Sequence, residues 1–286
     1  MSIVVTGATG HLGRLTIEAL LRRGVPAEQI IATGRRTETL ADLADQGVTV
    51  RRADYTDPES LRQAFAGADR LLLVSSSEVG QRVAQHANAI RAAADAGVSL
   101  LAYTSIPKAD TSSLLLAEEH RDTEKLLADS GVPHVVLRNS WYIENYTAQL
   151  PVYLQHGVAG AAGDGRVSAA TRADFAEAAA AVLTQDGHAG ATYELGGAAF
   201  TMTELAQVVS QVTGHPVTYT DLPVEQYVEV LVGAGLPEPV AEVFADGDRG
   251  VAAGELYVDT TDLEKLLGRP ATSLADAVAA AVASQQ

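Results

Sequence analysis

The segment Thr6-Gly7-Ala8-Thr9-Gly10-His11-Leu12-Gly13 places three glycines three residues apart, directly after the apolar run Ile3-Val4-Val5. A glycine loop between a strand and a helix can cradle a phosphate. The first glycine permits the tight turn, the second lets backbone approach a pyrophosphate, and the third allows close helix–strand packing. The helix that follows presents unpaired N–H groups and the positive end of its dipole to an anion. No Gly-Lys-Ser/Thr follows, which excludes a triphosphatase loop and leaves a dinucleotide as the ligand class. Gly7, Ala8, Thr9, Gly10, His11 and Leu12 are the candidate phosphate contacts.

Further residues refine that ligand. An acid at the end of the second strand would bind both ribose hydroxyls of NAD, whereas an arginine pairs with the 2′-phosphate of NADP. Here the chain reads Thr33-Gly34-Arg35-Arg36, with no acid before Glu38. Arg35 is therefore expected to hold the 2′-phosphate, and NADP(H) to be preferred over NAD(H). Asp54, after the third strand, either meets the adenine or serves as a turn residue. Loops after strands four to six should surround the nicotinamide and bring in Ser75, Ser76, Thr104, Asn139, Ser140 and Trp141. Ser105 and Tyr142 are candidate donors to a substrate oxygen, and Trp141 and Tyr142 candidate walls for a flat ring. His120 either supplies a proton near neutral pH or is a helix-face histidine with no chemical role.

The glycine loop, Asp54 and the serine ending strand five resemble the short-chain dehydrogenase/reductase superfamily. That resemblance implies a Tyr-x-x-x-Lys pair on the next helix, but the chain carries Leu116 and His120 at those positions. The longer segments Leu71–Arg82, Leu137–Tyr146, Gly160–Gly165 and Ser168–Asp174 are similar to the atypical, NmrA-like branch of the superfamily, most of all to its quinone reductases, with triphenylmethane-dye reductases nearby. The resemblance implies NADPH held by Gly7–Leu12, Arg35, Ser75 and segment 139–144 including Glu144, a quinone against the nicotinamide, and a homodimer. Candidate substrate contacts are Trp141, Tyr142 and Asn145. Hydride transfer to a quinone leaves a delocalised anion, so a site without the Tyr/Lys pair suffices more readily than for a simple ketone. The rival is an NmrA-like regulator that senses NADP(H) without turnover; the aromatic segment 139–146 favours an enzyme.

These residues need a scaffold, and the pattern supplies one. Apolar runs at Ile3–Thr6, Gln29–Thr33, Val48–Arg52, Arg70–Ser75, Leu100–Thr104, His134–Arg138 and Thr192–Leu195 alternate with helical periodicity near 11–23, 37–46, 59–65, 80–96, 114–130 and 172–185. That alternation predicts an α/β fold, a Rossmann-type doubly wound parallel sheet. Beyond Leu195 helices dominate (201–213, 224–234, 237–246, 260–267, 273–284) with one strand at Val217–Thr220. The expectation is a dinucleotide domain of residues 1–145 plus 172–198, and a smaller, mostly helical substrate lobe of 146–171 plus 199–286.

Composition agrees with a globular chain of 286 residues, 47% hydrophobic and 20% charged. There is no cysteine, which excludes disulfides and thiolate chemistry. A net charge of −16 argues against nucleic acid, seven histidines without ligand spacing argue against a metal, and no apolar run reaches membrane-span length. The chain is expected to be soluble and cytoplasmic.

Overall fold

The computed structural model describes residues 1–284. Its strands are β1 (Ile3–Val5), β2 (Ile30–Gly34), β3 (Thr49–Arg52), β4 (Arg70–Leu73), β5 (Leu100–Ser105), β6 (His134–Asn139), β7 (Val158–Gly160), β8 (Thr192–Leu195) and β9 (Tyr219–Asp221). Helices up to the seventh strand are α1 (His11–Arg22), α2 (Ala41–Asp45), α3 (Pro58–Phe65), α4 (Arg82–Ala96), α5 (Leu115–Ser130), α6 (Ile143–Thr147) and α7 (Leu150–His156). The remainder are α8 (Arg172–Thr184), α9 (Met202–Thr213), α10 (Val224–Gly233), α11 (Glu238–Ala252), α12 (Asp262–Leu267) and α13 (Leu274–Ala283).

Seven strands form one parallel sheet in the order β3-β2-β1-β4-β5-β6-β8. This is a Rossmann-like sheet whose order reverses between β1 and β4, and every expected sheet strand is in it. Side chains alternate between its faces, as the two-residue period requires. Ile3, Val5, Ile30, Ala32 and Leu72 pack towards α1 and α8. Val4, Ile31, Leu71, Leu73 and Tyr103 pack on the other face with Leu61, Phe65, Ala89 and Leu127 of α3, α4 and α5. Both faces are therefore dry at the centre of the sheet, which is why β1, β2, β4 and β5 are largely apolar, whereas the edge strands β3 and β8 are partly exposed and more polar.

A second core joins Ile106, Ile143, Tyr146, Leu150, Val158, Phe200, Leu205, Val251 and Val278. It includes a two-stranded parallel sheet of β7 and β9. The Thr201/Glu204 capping box forms as its spacing predicts: Glu204 N–H donates to the Thr201 hydroxyl and Thr201 N–H to the Glu204 carboxylate. Four elements extend or add to the expected pattern. α11 runs to Ala252 although periodicity fades at 246, because Gly247 and Gly250 stand where neighbours press in. A Cβ on Gly250 would lie 2.5 Å from a Leu114 methyl. β7, α6 and α7 are short, and β7 takes its partner from a strand far along the chain, so local pattern carries little of it.

Candidate functional site

At the β1/β4 reversal the glycine loop opens onto a cavity of about 270 Å³. Gly7 has φ +61°, a left-handed conformation that favours glycine. A Cβ on Gly13 would run into the Gly7 carbonyl and lie 2.7 Å from its carbon and 2.9 Å from Ala8 N. The loop closes on itself through Gly10 N–H to Gly7 O (2.9 Å), and Ala8 N–H is taken by Thr33 O (2.9 Å). His11 and Leu12 head α1, where first-turn N–H groups have no acceptor within the helix.

Of the expected dinucleotide contacts, Gly7, Thr9, Gly10, His11, Leu12, Arg35, Asp54, Ser75 and Ser76 line this cavity. Ala8, Thr104, Asn139, Ser140, Trp141 and Glu144 do not, and all but Asn139 have another visible task. Ala8 is fully buried behind the loop. The Thr104 hydroxyl accepts from Ser75 N–H (2.9 Å), fixing the end of β4 to that of β5. Ser140 donates its hydroxyl to Leu256 O (3.1 Å), tying β6 to the second core. Asn139 is buried with its Oδ1 unpartnered. Asp54 accepts from both the N–H and hydroxyl of Thr56 (2.9 and 2.8 Å), a turn that still leaves it on the cavity wall. Those hydrogen bonds hold its carboxyl below the usual range.

Arg35 is exposed at the rim and pairs with Glu78 at 2.8 Å. The loop carrying Glu78 is held from below. His86 Nε2 accepts from Ser76 N–H (3.0 Å), and buried Arg82 donates from Nε to Ser76 O (2.7 Å) while pairing with Glu119 (3.2 Å). Burial lowers the His86 pKa to about 3, which keeps Nε2 a neutral acceptor. Tyr55 and Gln85 also line the cavity; the Tyr55 hydroxyl donates to Val74 O (2.7 Å). His86 carries no signal in the sequence beyond its place in a helix, and Arg82 stands out only as the last residue of the segment Leu71–Arg82 that bears the family resemblance.

The candidate catalytic side chains are separated. His120 is buried on α5, with Nδ1 2.7 Å from the Tyr103 hydroxyl, and it lines neither large cavity. Burial, with Arg82 nearby, pushes its pKa well below the ordinary histidine value, so near neutral pH it has no imidazolium proton to donate. Ser105 donates to Glu124 Oε1 (2.5 Å), and Glu124 is gripped by Arg138 through Nε (3.0 Å) and Nη2 (2.7 Å). Arg138 also reaches Glu194 (2.9 Å) and Asp110 (3.1 Å), a cross-tie between α5, β6 and β8. Tyr142 packs edge-on against Phe175 with the Arg172 guanidinium 4.4 Å above its ring. Arg172 N–H donates to Glu144 (2.9 Å) and Nη2 to Asn145 Oδ1 (2.9 Å), so Arg172 organises segment 142–145.

Beside that segment lies a second cavity of about 310 Å³, walled by Trp141, Asn145, Tyr146, Tyr153, Tyr227, Leu231 and Phe244. It is largely aromatic and apolar, with Asp248 in its wall. Asp248 Oδ2 accepts from Ala161 N–H (2.8 Å), while burial pushes the carboxyl pKa from 3.8 up to about 6. Because the folded value lies above the unfolded one, ionisation works against the fold. The penalty starts near pH 4, grows to pH 6 and is constant above, at about 3 kcal/mol by linkage. Asp248→Asn should therefore raise the urea midpoint at pH 7 and leave it nearly unchanged at pH 4.

The match with the NmrA-like family covers residues 1–274. Quinone oxidoreductase 2 of Escherichia coli is 51% identical over 278 residues, spanning 96% of this chain and 97% of that protein. The crystal structure of NADPH-dependent quinone oxidoreductase from Escherichia coli complexed with NADPH is similar at a TM-score of 0.94 and 50% identity, covering 97% of this chain and 99% of the other. Triphenylmethane reductase of Citrobacter sp. is similar at a TM-score of 0.94 and 41% identity, over 99% of this chain and 100% of the other. Family match, half-identical relative and shared architecture agree over nearly the whole length: the chain belongs to the NmrA-like family.

Proposed function

We propose that this protein is an NADPH-dependent oxidoreductase that reduces quinones. One observation carries the reading: a glycine-lined cavity with an arginine at its rim stands at the sheet's reversal point, and an aromatic cavity lies beside the segment leading out of β6. The similarity to an Escherichia coli quinone oxidoreductase adds the substrate class. The residues present fit the cofactor, since Gly13 has no room for a Cβ, Gly7 holds a left-handed φ, and the first turn of α1 follows the loop.

Bound NADPH supplies a hydride. Gly7, Thr9, Gly10, His11 and Leu12 bind the phosphates through backbone, and Arg35 takes the 2′-phosphate in place of Glu78. Ser75 and Ser76, set by Thr104 and His86, shape the wall towards the nicotinamide. Ser140 and Glu144 hold segment 139–145 at the ends of β6 and α8, and Asn139 is the cofactor contact where β6 ends. Trp141 and Asn145 present a stacking face and an amide to the flat acceptor, and Tyr142 braces them through Phe175 and Arg172. Ser105 and His120 act through the frame: Ser105 on Glu124, His120 on Tyr103. The dinucleotide domain of 1–145 plus 172–198, the substrate lobe of 146–171 plus 199–286, a homodimer and a cytoplasmic location complete the reading. Among the described residues no helix is long and apolar enough to cross a membrane.

The test follows NADPH oxidation by para-benzoquinone through nicotinamide absorbance, with NADH alongside. Saturable, enzyme-dependent oxidation favouring NADPH is expected. Tight NADPH binding without turnover would favour the sensing regulator instead. Arg35→Ala should weaken NADPH by about tenfold or more, the scale of one charge-assisted hydrogen bond, while NADH changes little. Equal losses for both would remove Arg35 from the 2′-phosphate.

A further inference from the structure

The reduction of a quinone consumes one proton besides the hydride, and His120 and Ser105 are both committed elsewhere. The aromatic cavity contains one acid. Asp248 projects from α11 into its wall, anchored by Ala161 N–H to Oδ2 at 2.8 Å. Among the described residues nothing hydrogen-bonds its Oδ1. Glycines make room for both groups: a Cβ on Gly160 would lie 2.6 Å from the carboxyl Oδ2, and one on Gly247, next to Asp248 in the chain, would lie 3.3 Å from the Trp141 ring. Trp141 and Asn145 enter the cavity from segment 141–145 and Asp248 from α11, so a ring lying against the indole has the carboxyl within the same enclosure.

We propose that Asp248 is the proton donor to the quinone oxygen remote from the nicotinamide, a role that rests on the quinone-reductase reading above. A hydride from a reduced nicotinamide forms the O–H bond at the near oxygen. The hydride's pair becomes that O–H bond as the nicotinamide C–H bond breaks. The π pair displaced from the near carbonyl shifts through the ring, which becomes aromatic, and the remote carbonyl's π pair is left on its oxygen as an aryloxide. That oxygen takes the carboxyl proton as the Asp248 O–H bond breaks, giving the hydroquinone. Solvent then returns a proton to the carboxylate. A 1,4-quinone suits this arrangement because its two oxygens stand at opposite ends of the ring.

The surroundings favour the protonated carboxyl, which therefore persists to higher pH than an exposed aspartate does. Tyr146 of α6, Tyr153 and His156 of α7, and Tyr227 of α10 line the cavity with it, while Tyr219 and Asp221 face it from β9. No lysine or arginine is among these side chains. Asp221 is a like charge, bonded to the Tyr219 hydroxyl at 2.7 Å. On α11 itself, Arg249 is turned to Asp246. Burial raises the tyrosine hydroxyls above their ordinary range, so they remain neutral. The Tyr146 hydroxyl is buried, and among the described residues it has no hydrogen-bond partner.

The experiment compares wild type, Asp248→Asn and Asp248→Glu with para-benzoquinone across pH 5–8. Wild-type kcat should fall above pH 6. Asp248→Asn should lose at least about tenfold in kcat at pH 6, with that limb flattened, and Asp248→Glu should recover part of it. A second reading needs no turnover. Trp141 is the chain's one tryptophan, so its emission reports this cavity. In free protein it should titrate near pH 6, and Asp248→Asn should abolish that step while leaving NADPH affinity unchanged. Wild-type turnover with an unaltered Asp248→Asn rate and pH profile would overturn this inference alone. A wild type that binds NADPH without reducing quinone would overturn it together with the reading it rests on.

Discussion

Gly13→Ala is expected to cost NADPH affinity by between tenfold and a hundredfold. The added methyl has no direction in which to escape. Its neighbours are the Gly7 carbonyl group and Ala8 N, all backbone, and all inside the loop that receives the phosphates. Overpacking of this kind costs about 1–3 kcal/mol, with each 1.4 kcal/mol worth about tenfold if it falls on the bound state. The relief is movement of α1 away from the loop, which carries the His11 and Leu12 N–H groups with it. Gly233→Ala is the control, since a Cβ there meets nothing within 4 Å and the residue is helical. Titrating NADPH against both variants checks the expectation; equal affinities would show that the loop yields more easily than its backbone contacts imply.

Arg138→Met should be the most damaging exchange for stability outside the glycine loop, at about 3–5 kcal/mol. Arg138 satisfies Glu124 through two hydrogen bonds and Glu194 through a third, and Glu194 also receives Lys108 N–H at 3.1 Å. Taking away the cation leaves those carboxylates partly buried without their partner. Because the loss arises from stranded charge, the triple variant with Glu124→Gln and Glu194→Gln should recover most of it. Urea unfolding of the single and triple variants separates this from loss of packing. A single variant within about 1 kcal/mol of wild type would mean that water reaches the carboxylates.

The scaffold was readable because the central sheet strands are apolar runs and the helices between them are amphipathic, so local pattern and tertiary demand coincide; the edge strands β3 and β8 are more polar and were marked by their place in the alternation. The glycine loop was readable for a related reason: its residue types answer backbone constraints a few residues away. Asp248 was not. Its importance depends on Ala161, Gly160 and three tyrosines from separate helices, none within local reach. The Arg138 cross-tie draws on α5, β6 and β8 in the same way. His120 shows the converse. Its residue type suggested proton transfer, whereas burial against Tyr103 removes the charge that such a role needs. Gly247 and Gly250 broke the helical pattern of α11 for the sake of Trp141 and Leu114, contacts invisible until the chain is folded.

The packing of α1 against α8 bears on how the molecule is made. Leu12, Ile17 and Leu20 of α1 share a core with Phe175, Ala179 and Leu183, which leave the ribosome long after them. Until then the first helix has an uncovered greasy side, and the phosphate loop it anchors lacks its backing. The nascent chain thus passes through a stage in which several strands are present but the ligand loop is unsupported, a natural point for a holding chaperone. Chains truncated before Arg172 should be sticky and unable to retain dinucleotide, even though every glycine of the loop is already in place.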